Sequence, residues 1–415
     1  MPFSFLHAAD LHLDTPFASV GGFPAAVGDA LREASLEAWT ALVDTAIERQ
    51  VAFVLLAGDL YDGAERGLRA QWAFLDGVAR LDAAGIHTLV VHGNHDPVRE
   101  GWTAIGAFPE RVHIFSADQV ESVTLEVGGE RVVVHGTSYA TAAMADNLAL
   151  RYPHASGGGF HIGLLHANVG GTATGHLDYS PCSLDDLRAT GYQYWALGHV
   201  HQQQVLQAGE PWIVYPGNLQ GRSPKHTERG AKGAVLVHVA GGVASAPEPV
   251  VLDRVRFHDV AVSIEPYADA MALLDQLERL ADPAVHHGRH LIVRATIEGA
   301  GDLHAELALP TRRAEVLDEL RRRGTARTPF VWWHGITWRT KPAAEVIDLR
   351  RRDDFTADLH RFMDEATATH RGAWRDLLPA DVARELGDLL PALDDDEIWA
   401  AARQAAADAI AGAEP

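Results

Sequence analysis

Short apolar runs recur between residue 3 and about residue 240, and each runs into a polar cluster that is often followed by apolar positions at helical spacing. Runs that are apolar at consecutive positions predict strands that are buried on both faces. We predict five such strands, at residues 3–8, 51–57, 87–91, 160–165 and 192–197. Amphipathic helices are predicted at residues 25–50 and 66–84, with Gly85 closing the second. This alternation predicts an α/β fold.

Three later strands, at residues 131–135, 212–215 and 234–239, have no intervening helices, so we predict antiparallel pairing and mixed sheets. After Gly241-Gly242 the pattern restarts and predicts a small α+β domain at residues 250–342. Its predicted strands are at 255–264, 290–297 and 330–338, and its predicted helices are at 268–281 and 311–323. The sequence thus divides into an α/β domain at residues 1–245, this second domain, and an acidic helical tail at 343–415.

The composition is that of a globular chain, since 47% of its 415 residues are hydrophobic and 22% are charged. A single cysteine, Cys182, excludes an internal disulfide and any multi-cysteine metal site. We expect a cytoplasmic protein, because neither a signal-peptide pattern nor an apolar run of membrane-spanning length is present. The net charge of −21 repels polyanions, so any nucleic-acid contact must be local.

Polar clusters follow five of the predicted strands at the point where each strand ends. In order they are Asp10-Leu11-His12, Gly58-Asp59, Gly93-Asn94-His95-Asp96, His166 and Gly198-His199-Val200-His201. The carboxyl ends of strands in an α/β sheet open into the crevice where ligands bind. We therefore expect these five segments to deliver their side chains to one place.

The residue types in these clusters favour metal binding. Asp10 and His12 are two positions apart, as are His199 and His201, so each pair lies on one face of an extended chain and can chelate. Carboxylate, imidazole and amide oxygen without thiolate suit Mn²⁺, which we expect, with Fe²⁺ and Zn²⁺ as alternatives. One ion cannot bind all seven candidate ligands, which are Asp10, His12, Asp59, Asn94, His166, His199 and His201. Two ions roughly 3.5–4 Å apart and sharing a carboxylate support phosphoryl displacement, and Asp59 is the candidate bridge.

The ordered series from Asp10 to His201 resembles the calcineurin-like metallophosphoesterases, whose fold is a sandwich of mixed β-sheets flanked by helices. The resemblance assigns ligands to two ions. One ion takes Asp10, His12, Asp59 and His201, and the other takes Asp59, Asn94, His166 and His199. The resemblance also implies that His95 is the general acid. Asp96 would either orient His95 or the Gly93 turn, or cap a helix.

Within that superfamily the chain is more similar to the SbcD-type DNA repair exonucleases, and to their YhaO-type branch above all. The resemblance rests on Asp10-Leu11-His12-Leu13-Asp14, Gly58-Asp59-Leu60-Tyr61-Asp62, the segment from Tyr215 to Arg222, and Gly230-Ala231-Lys232-Gly233. It implies a catalytic domain, a DNA-contacting cap at 250–342, and hydrolysis of DNA by metal-bound hydroxide with His95 as the acid. It also implies a coiled-coil, SbcC-like ATPase partner and a homodimer. One departure concerns Asp62, where active nucleases of this family often have His.

A basic segment supplies candidate contacts to the DNA backbone, namely Arg222, Lys225, Arg229 and Lys232, with His226 between them. A solvated hairpin would show the same residues. In the second domain, Arg312, Arg313, Arg321, Arg322, Arg323 and Arg327 form either a backbone contact or a solvated helix face. Trp332, Trp333 and Trp338 would stack on bases or pack in the core. The stripe Phe355, Leu359, Phe362 and Met363 would bind the ATPase or pack within the chain.

Two other functions are compatible with parts of the sequence. A phosphomonoesterase or small cyclic-nucleotide phosphodiesterase would use the same ions but would need neither the second domain nor the basic segment. A non-catalytic DNA-end or partner-binding scaffold would have a damaged ligand set, and the set here is complete.

Overall fold

The computed structural model describes residues 2–15, 23–63, 67–99, 103, 105–170 and 179–342, together with Phe362, Glu365, Ile398 and Trp399. Nearly all of the predicted acidic tail, and most of its apolar stripe, lie outside these residues. The chain divides into two compact units. The first takes in Met1–His258 and His286–Ile292, and the second takes in Asp259–Val285 and the chain from Val293 onward.

The first unit is built from strands with few helices between them. Its described strands are β1 (Phe3–Ala8), β2 (Phe53–Ala57), β3 (His87–Val91), β4 (Val112–Ile114), β5 (Glu121–Val127), β6 (Glu130–Gly136), β7 (Phe160–His166), β8 (Tyr194–Gly198), β9 (Gln204–Gln207), β10 (Trp212–Tyr215), β11 (Gly233–Ala240), β12 (Val243–Ala244) and β13 (Glu248–Val251). Its described α-helices are α1 (Ala25–Glu48), α2 (Leu68–Ala83) and α3 (Leu184–Ala189). The predicted α/β class is confirmed.

These strands form two mixed sheets among the described residues. The first has the order β12-β11-β1-β2-β3-β4, with β13 also paired to β11, and the second has the order β5-β6-β7-β8-β10-β9. Strands β1 to β4 are parallel, whereas β11 is antiparallel to β1.

The prediction of antiparallel pairing for the later strands is only partly right. Strand β6 is antiparallel to β5 but parallel to β7, and β10 is antiparallel to β9 but parallel to β8. Parallel neighbours require a crossover connection. Between β6 and β7 that crossover is largely irregular, with one 3-10 turn at Leu148–Arg151, so it left no helical pattern in the sequence.

The two sheets pack face to face, with helices on the outer surface of each. Alternate residues of a strand point to opposite faces, so Leu6 of β1 packs towards α1 and α2 while Phe5 packs between the sheets. In β8, Tyr194 faces the space between the sheets and Trp195 faces α3. The rings of Phe5 and Phe53 stack at 4.9 Å across the neighbouring strands β1 and β2. The core therefore fixes the register that brings the strand ends together.

A smaller sheet has the order β14-β15-β16 and is formed by Val255–Ser263, His290–Ala300 and Val331–Lys341. Most of its residues belong to the second unit, although β14 and β15 begin in the first. The described helices of the second unit are α4 (Ala270–Leu280), α5 (His304–Leu307) and α6 (Pro310–Thr325). Asp269 caps α4 by accepting a hydrogen bond of 2.8 Å from the backbone N–H of Ala272. Leu273, Leu277 and Leu320 are buried on the inner faces of these helices.

In the described part of the chain, none of the helices combines the length and the apolar character that a membrane crossing requires.

Candidate metal centre and active site

The loops that follow β1 and β2 hold an unusual backbone conformation. Asp10, His12 and Asp59 have φ angles of 53°, 43° and 53°, in the left-handed region that non-glycine residues seldom adopt. Backbone hydrogen bonds of 3.0 Å from Asp10 N to Gly58 O and from His12 N to Asp59 O hold the two loops together. Such strain costs about 1–3 kcal/mol per residue and persists where the surrounding structure imposes it. The conformation turns all three side chains inward.

Asp10, His12 and His201 form the first cluster of candidate ligands. The Nδ1–H of His201 donates to Glu228 at 2.6 Å, so in the neutral ring Nε2 is the nitrogen that carries the lone pair. That Nε2 lies 3.3 Å from Nε2 of His12 and 3.8 Å from Oδ1 of Asp10. Burial, followed by the neighbouring cations and imidazoles, holds the pKa of His12 well below its usual range, so its ring is neutral. Neutral imidazoles are the form that ligates metals.

Asp59, Asn94 and His166 form the second cluster. The Nδ1–H of His166 donates to the carbonyl of Ala57 at 2.8 Å, which leaves a lone pair on Nε2. This Nε2 lies 3.0 Å from Oδ1 of Asn94 and 3.4 Å from Oδ2 of Asp59. An imidazole nitrogen, an amide oxygen and a carboxylate oxygen at these distances are atoms that one divalent cation could bind together.

Electrostatics favour the same conclusion. Asp10 and Asp59 are 0% and 1% exposed. Burial above all raises the pKa of Asp59, His166 opposes the rise, and the carboxylates of Asp10 and Asp96 add to it, so that the pKa is about 6. Buried carboxylates of this kind are paired with a cation or bind a metal. The residues therefore fit two divalent ions, with Asp59 adjacent to both clusters.

Glycines make room for this arrangement at two strand ends. A Cβ on Gly93 would collide with Oδ1 of Asp59 and would approach the ring of His166 to 2.9 Å. A Cβ on Gly198 would collide with the carbonyl of Ala57 and would lie 2.9 Å from Nδ1 of His166. Any side chain at these positions would displace a candidate ligand.

His95 lies beside both clusters and is partly exposed. Its ring centroid is 5.0 Å from that of His12, and its backbone N–H donates to Oδ1 of Asp59 at 2.9 Å. Nδ1 of His95 lies 2.5 Å from Oδ1 of Asp62, and Arg222 binds the other oxygen of Asp62. The hydrogen bond to Asp62 raises the pKa of His95 above its usual value, against the effect of burial. The structure thus links a protonatable imidazole to the candidate metal ligands.

Asp96 is a structural residue of the Gly93 turn. It is 0% exposed and accepts hydrogen bonds of 2.8 Å from the backbone N–H groups of Gly93 and Leu60, and it also pairs with His92. The ring of His95 is bound by the carboxylate of Asp62. Of the roles open for Asp96 in the sequence, these contacts favour orientation of the Gly93 turn, and its assignment as a catalytic residue stays a prediction.

His199 is buried next to the second cluster. Its backbone N–H donates to both carboxylate oxygens of Asp10, at 3.1 and 3.2 Å, and its ring centroid lies 5.2 Å from that of His166. Among the described residues, the groups whose ligand atoms converge within 4.8 Å include Asp10, His12, Asp59, His166 and His201 but not His199. Its assignment as a ligand stays a prediction.

The residues of the basic segment differ in their exposure and in their contacts. Lys225 is exposed, whereas Lys232 is 6% exposed and donates from Nζ to the carbonyls of His201 and Thr227, each at 2.5 Å. Burial lowers the pKa of Lys232 to about 8. Arg229 donates to the carbonyl of Pro224. Lys232 is therefore a packing residue behind His201, which corrects its prediction as a phosphate contact.

The arginines of α6 are largely engaged within the second unit. Arg321 stacks on Trp332 at 4.7 Å and donates to the carbonyl of Trp333 at 2.9 Å. Arg323 pairs with Glu319 and Glu278. Trp332 and Trp333 are 7% and 1% exposed. These contacts favour core packing over base stacking for both tryptophans.

Glu228 and Asn218 are polar residues of the site that the sequence patterns did not single out. Glu228 is 7% exposed and bonds to His201, while Asn218 is 0% exposed and donates to Glu228 at 2.7 Å. The only sequence signal is their position in the Tyr215–Arg222 and 226–233 segments that follow the last ligand motif. A single acidic residue in a basic, turn-rich stretch does not reveal that it is buried.

The profile of the Calcineurin-like phosphoesterase family matches residues 3–203, the part of the chain that contains both ligand clusters. The chain belongs to the calcineurin-like metallophosphoesterases, and the site is that of a metal-dependent hydrolase. Residues 257–341 match the profile of the middle domain of metallophosphoesterase YhaO. Over 369 residues the chain is 35% identical to the uncharacterized metallophosphoesterase YhaO of Bacillus subtilis strain 168, covering 88% of this chain and 87% of that protein.

More distant similarity extends to proteins named for DNA repair. The chain is 28% identical over 272 residues to DNA double-strand break repair protein Mre11 of Thermoplasma acidophilum, covering 64% of this chain and 68% of that protein. It is 22% identical over 294 residues to the protein of the same name from Methanocaldococcus jannaschii, covering 69% and 76%. The resemblance noted in the sequence is confirmed.

Proposed function

We propose that this protein is a two-metal phosphodiesterase that hydrolyses DNA in repair or end processing, as an exonuclease or endonuclease. The observation that carries the proposal is the convergence of acceptor atoms from Asp10, His12, Asp59, His166 and His201 beside a protonatable His95. Such a constellation suits hydrolysis of a phosphate ester, because it combines cation sites with a proton donor.

Asp10, His12, Asp59 and His201 would hold one ion, and Asp59, Asn94, His166 and His199 the other. Two divalent ions held there, for which we propose Mn²⁺, would neutralise charge at phosphorus and would lower the pKa of water. The protein's part is to fix these side chains in a buried pocket. The glycines at positions 93 and 198 allow the close approach that this requires.

His95 supplies the proton for the leaving group. Because Nδ1 is bound to Asp62, Nε2 is the nitrogen that faces away from the carboxylate and can donate to the leaving sugar oxygen. Asp62 holds the ring in one orientation and stabilises its protonated form. Asp62 is therefore a positioning residue that acts through His95, and Arg222 holds Asp62 in turn.

DNA as the substrate is supported by the similarity to the Mre11 proteins, which are named for double-strand break repair. The exposed side chain of Lys225 can contact a phosphate backbone from the segment that also carries Arg222. From the resemblance to SbcD-type proteins we also propose a homodimer and a coiled-coil ATPase partner. The location we propose is the cytoplasm.

A second candidate is a small phosphoester substrate, and one observation favours it. Two of the four cations predicted for the DNA backbone are engaged inside the site, since Lys232 binds main-chain carbonyls and Arg222 binds Asp62. When basic side chains are bound to other groups of the protein, fewer of them are available to contact a long polyanion such as DNA.

Cleavage of end-labelled DNA distinguishes the two candidates. Purified full-length protein would be incubated with Mn²⁺ and double-stranded, single-stranded or hairpin DNA, and in parallel with p-nitrophenyl phosphate, and Asp59→Ala would be the matched inactive variant. We expect wild type to cleave at least one DNA, and the product ladder will give its direction. Turnover of p-nitrophenyl phosphate without cleavage of any DNA would support the phosphomonoesterase instead.

A further inference from the structure

Glu228 is a buried carboxylate behind the first ligand cluster. It lies on the short turn His226–Glu228 and is 7% exposed. Three donors surround it: Nδ1 of His201 at 2.6 Å, Nδ2 of Asn218 at 2.7 Å and the backbone N–H of Arg222 at 3.1 Å. A buried carboxylate is costly unless it is bonded in this way, so the site is built around its charge.

The two carboxylate oxygens of Glu228 accept hydrogen bonds from different donors. Oε1 accepts from the ring of His201, while Oε2 accepts from Asn218 and Arg222. The main chain of His201 is also held, because its carbonyl accepts from the backbone N–H of Asn218 at 3.3 Å and from Nζ of Lys232. Ring and backbone of His201 are thus fixed by one connected group of side chains.

The contact with Oε1 decides which ring nitrogen of His201 is protonated. With the proton on Nδ1, the lone pair of Nε2 points at the cluster, 3.8 Å from Oδ1 of Asp10 and 3.3 Å from Nε2 of His12. With the proton on Nε2, the same ring would offer no lone pair there. Carboxylates that bind the remote nitrogen of a ligating imidazole fix its tautomer and raise its basicity.

We propose that Glu228 is a positioning residue of the metal centre, which fixes the tautomer and ring orientation of His201 and thereby the affinity for one of the two ions. This inference rests on the two-metal site proposed above and names a residue that controls it. Loss of such a partner lowers metal affinity about 10-fold to 100-fold.

Calorimetric titration of metal-free, full-length protein with Mn²⁺ tests the proposal. The variants are Glu228→Gln, His201→Ala and the double variant, and Glu248→Gln is the control because it makes the same chemical change at an exposed position. We expect Glu228→Gln to weaken one of two Mn²⁺ sites about 10-fold to 100-fold and Glu248→Gln to leave both unchanged. In the His201→Ala background, Glu228→Gln should cause no further loss, because its effect passes through that ring.

A spectroscopic measurement separates positioning from general destabilisation. Long-range ¹H–¹⁵N NMR of ¹⁵N-histidine-labelled, metal-free protein, recorded at a pH above the raised pKa of His201, reports the tautomer of its neutral ring. The signals of His201 are assigned by their absence from the spectrum of His201→Ala. We expect the Nδ1-protonated form in wild type and a mixture of tautomers in Glu228→Gln. If Glu228→Gln does not fold, Glu228→Asp keeps the charge but withdraws the oxygens, and it should weaken the same site.

Unchanged affinity at both sites in a folded Glu228 variant, with the wild-type tautomer, would overturn the inference. An additive loss in the double variant would overturn it as well. If wild-type protein itself bound no Mn²⁺, the two-metal site would be wrong, and this outcome is distinct because it appears before any variant is compared.

Discussion

Nδ1 of His95 lies 2.5 Å from Oδ1 of Asp62, and this contact joins the proposed general acid to a carboxylate three residues after Asp59. The backbone supports the contact, because the N–H of Gly63 donates to the carbonyl of His95 at 3.0 Å. Burial raises the pKa of Asp62, but its hydrogen bonds to His95 and Arg222 and their charges outweigh that effect and leave it lowered. Asp62 is thus an anion that stabilises the protonated form of His95.

Substitution Asp62→Asn should move the alkaline limb of the pH–rate profile to lower pH. Asp62 raises the pKa of His95, and a general acid is active only while it is protonated, so the rate falls as the pH rises through that pKa. Without the carboxylate the pKa drops and the fall begins earlier. The measurement is kcat against pH with bis-p-nitrophenyl phosphate and saturating Mn²⁺.

The matched control for this prediction is Asp185→Asn, since Asp185 is an exposed carboxylate at the start of α3. It should leave the profile unchanged. A profile for Asp62→Asn that coincides with wild type on the alkaline side would contradict the assigned role of Asp62.

His95→Ala and Asp59→Ala should separate catalysis from metal binding. The ligand atoms of His95 also converge with those of His12 and Asp62, but the proposed function makes His95 the acid and not a ligand. Its loss should therefore leave two Mn²⁺ bound and reduce kcat about 10²-fold to 10⁴-fold. Asp59 borders both clusters, so its removal should abolish binding at both sites. Metal content after dialysis, measured beside turnover, checks both statements, and an empty site in His95→Ala would show that His95 is a ligand.

Gly93→Ala should damage the metal centre although it adds a single methyl group. The new Cβ would collide with Oδ1 of Asp59 and crowd the ring of His166. We expect weaker Mn²⁺ binding and a free energy of unfolding lower by about 1–3 kcal/mol. Urea denaturation and calorimetry measure the two effects.

Gly106→Ala is the control for Gly93→Ala, because no described atom lies within 4 Å of a Cβ built there. It should match wild type in both measurements. Full Mn²⁺ affinity in Gly93→Ala would mean that the close approach of Asp59 and His166 at this glycine is not needed.

Lys225→Gln should weaken DNA binding without affecting small substrates. Its exposed ammonium is available to a phosphate, so its loss should lower affinity on every DNA sequence and reduce the slope of log affinity against log salt by about 1. The kinetics on bis-p-nitrophenyl phosphate should stay as in wild type. Arg151→Gln, an exposed cation at the 3-10 turn, is the control, and an equal loss in both variants would show only a nonspecific charge effect.

The strand ends explain why the convergence of candidate ligands could be predicted. Three strands have the predicted bounds, namely Phe3–Ala8, His87–Val91 and Trp212–Tyr215. Each is a run of apolar residues between two turns, and such a run defines where the strand begins and ends. Parallel strands then bring their carboxyl ends to one edge. The positions of Asp10, Asp59 and His166 follow from that geometry.

Contacts that depend on the path of loops could not be predicted. Lys225 and Lys232 are equivalent in a basic stretch, yet one is exposed and the other donates to buried carbonyls. Glu228 is not part of a periodic pattern in the sequence. Its role arises because the fold brings it into contact with His201, which lies 27 positions earlier in the chain. The pairing of Asp62 with His95 depends on the turn after Asp59, whereas the sequence showed only that Asp62 departs from related nucleases.

Hydrolysis of bis-p-nitrophenyl phosphate during titration of metal-free protein with Mn²⁺, by wild type and Asp59→Ala, tests the central claim most directly. The claim is that the clustered acceptors form a metal-dependent phosphodiesterase site. We predict no turnover without metal, activity that saturates as two equivalents bind in wild type, and none at any Mn²⁺ concentration in Asp59→Ala. Turnover by Asp59→Ala equal to that of wild type, or wild-type activity that is insensitive to metal removal, would contradict the account.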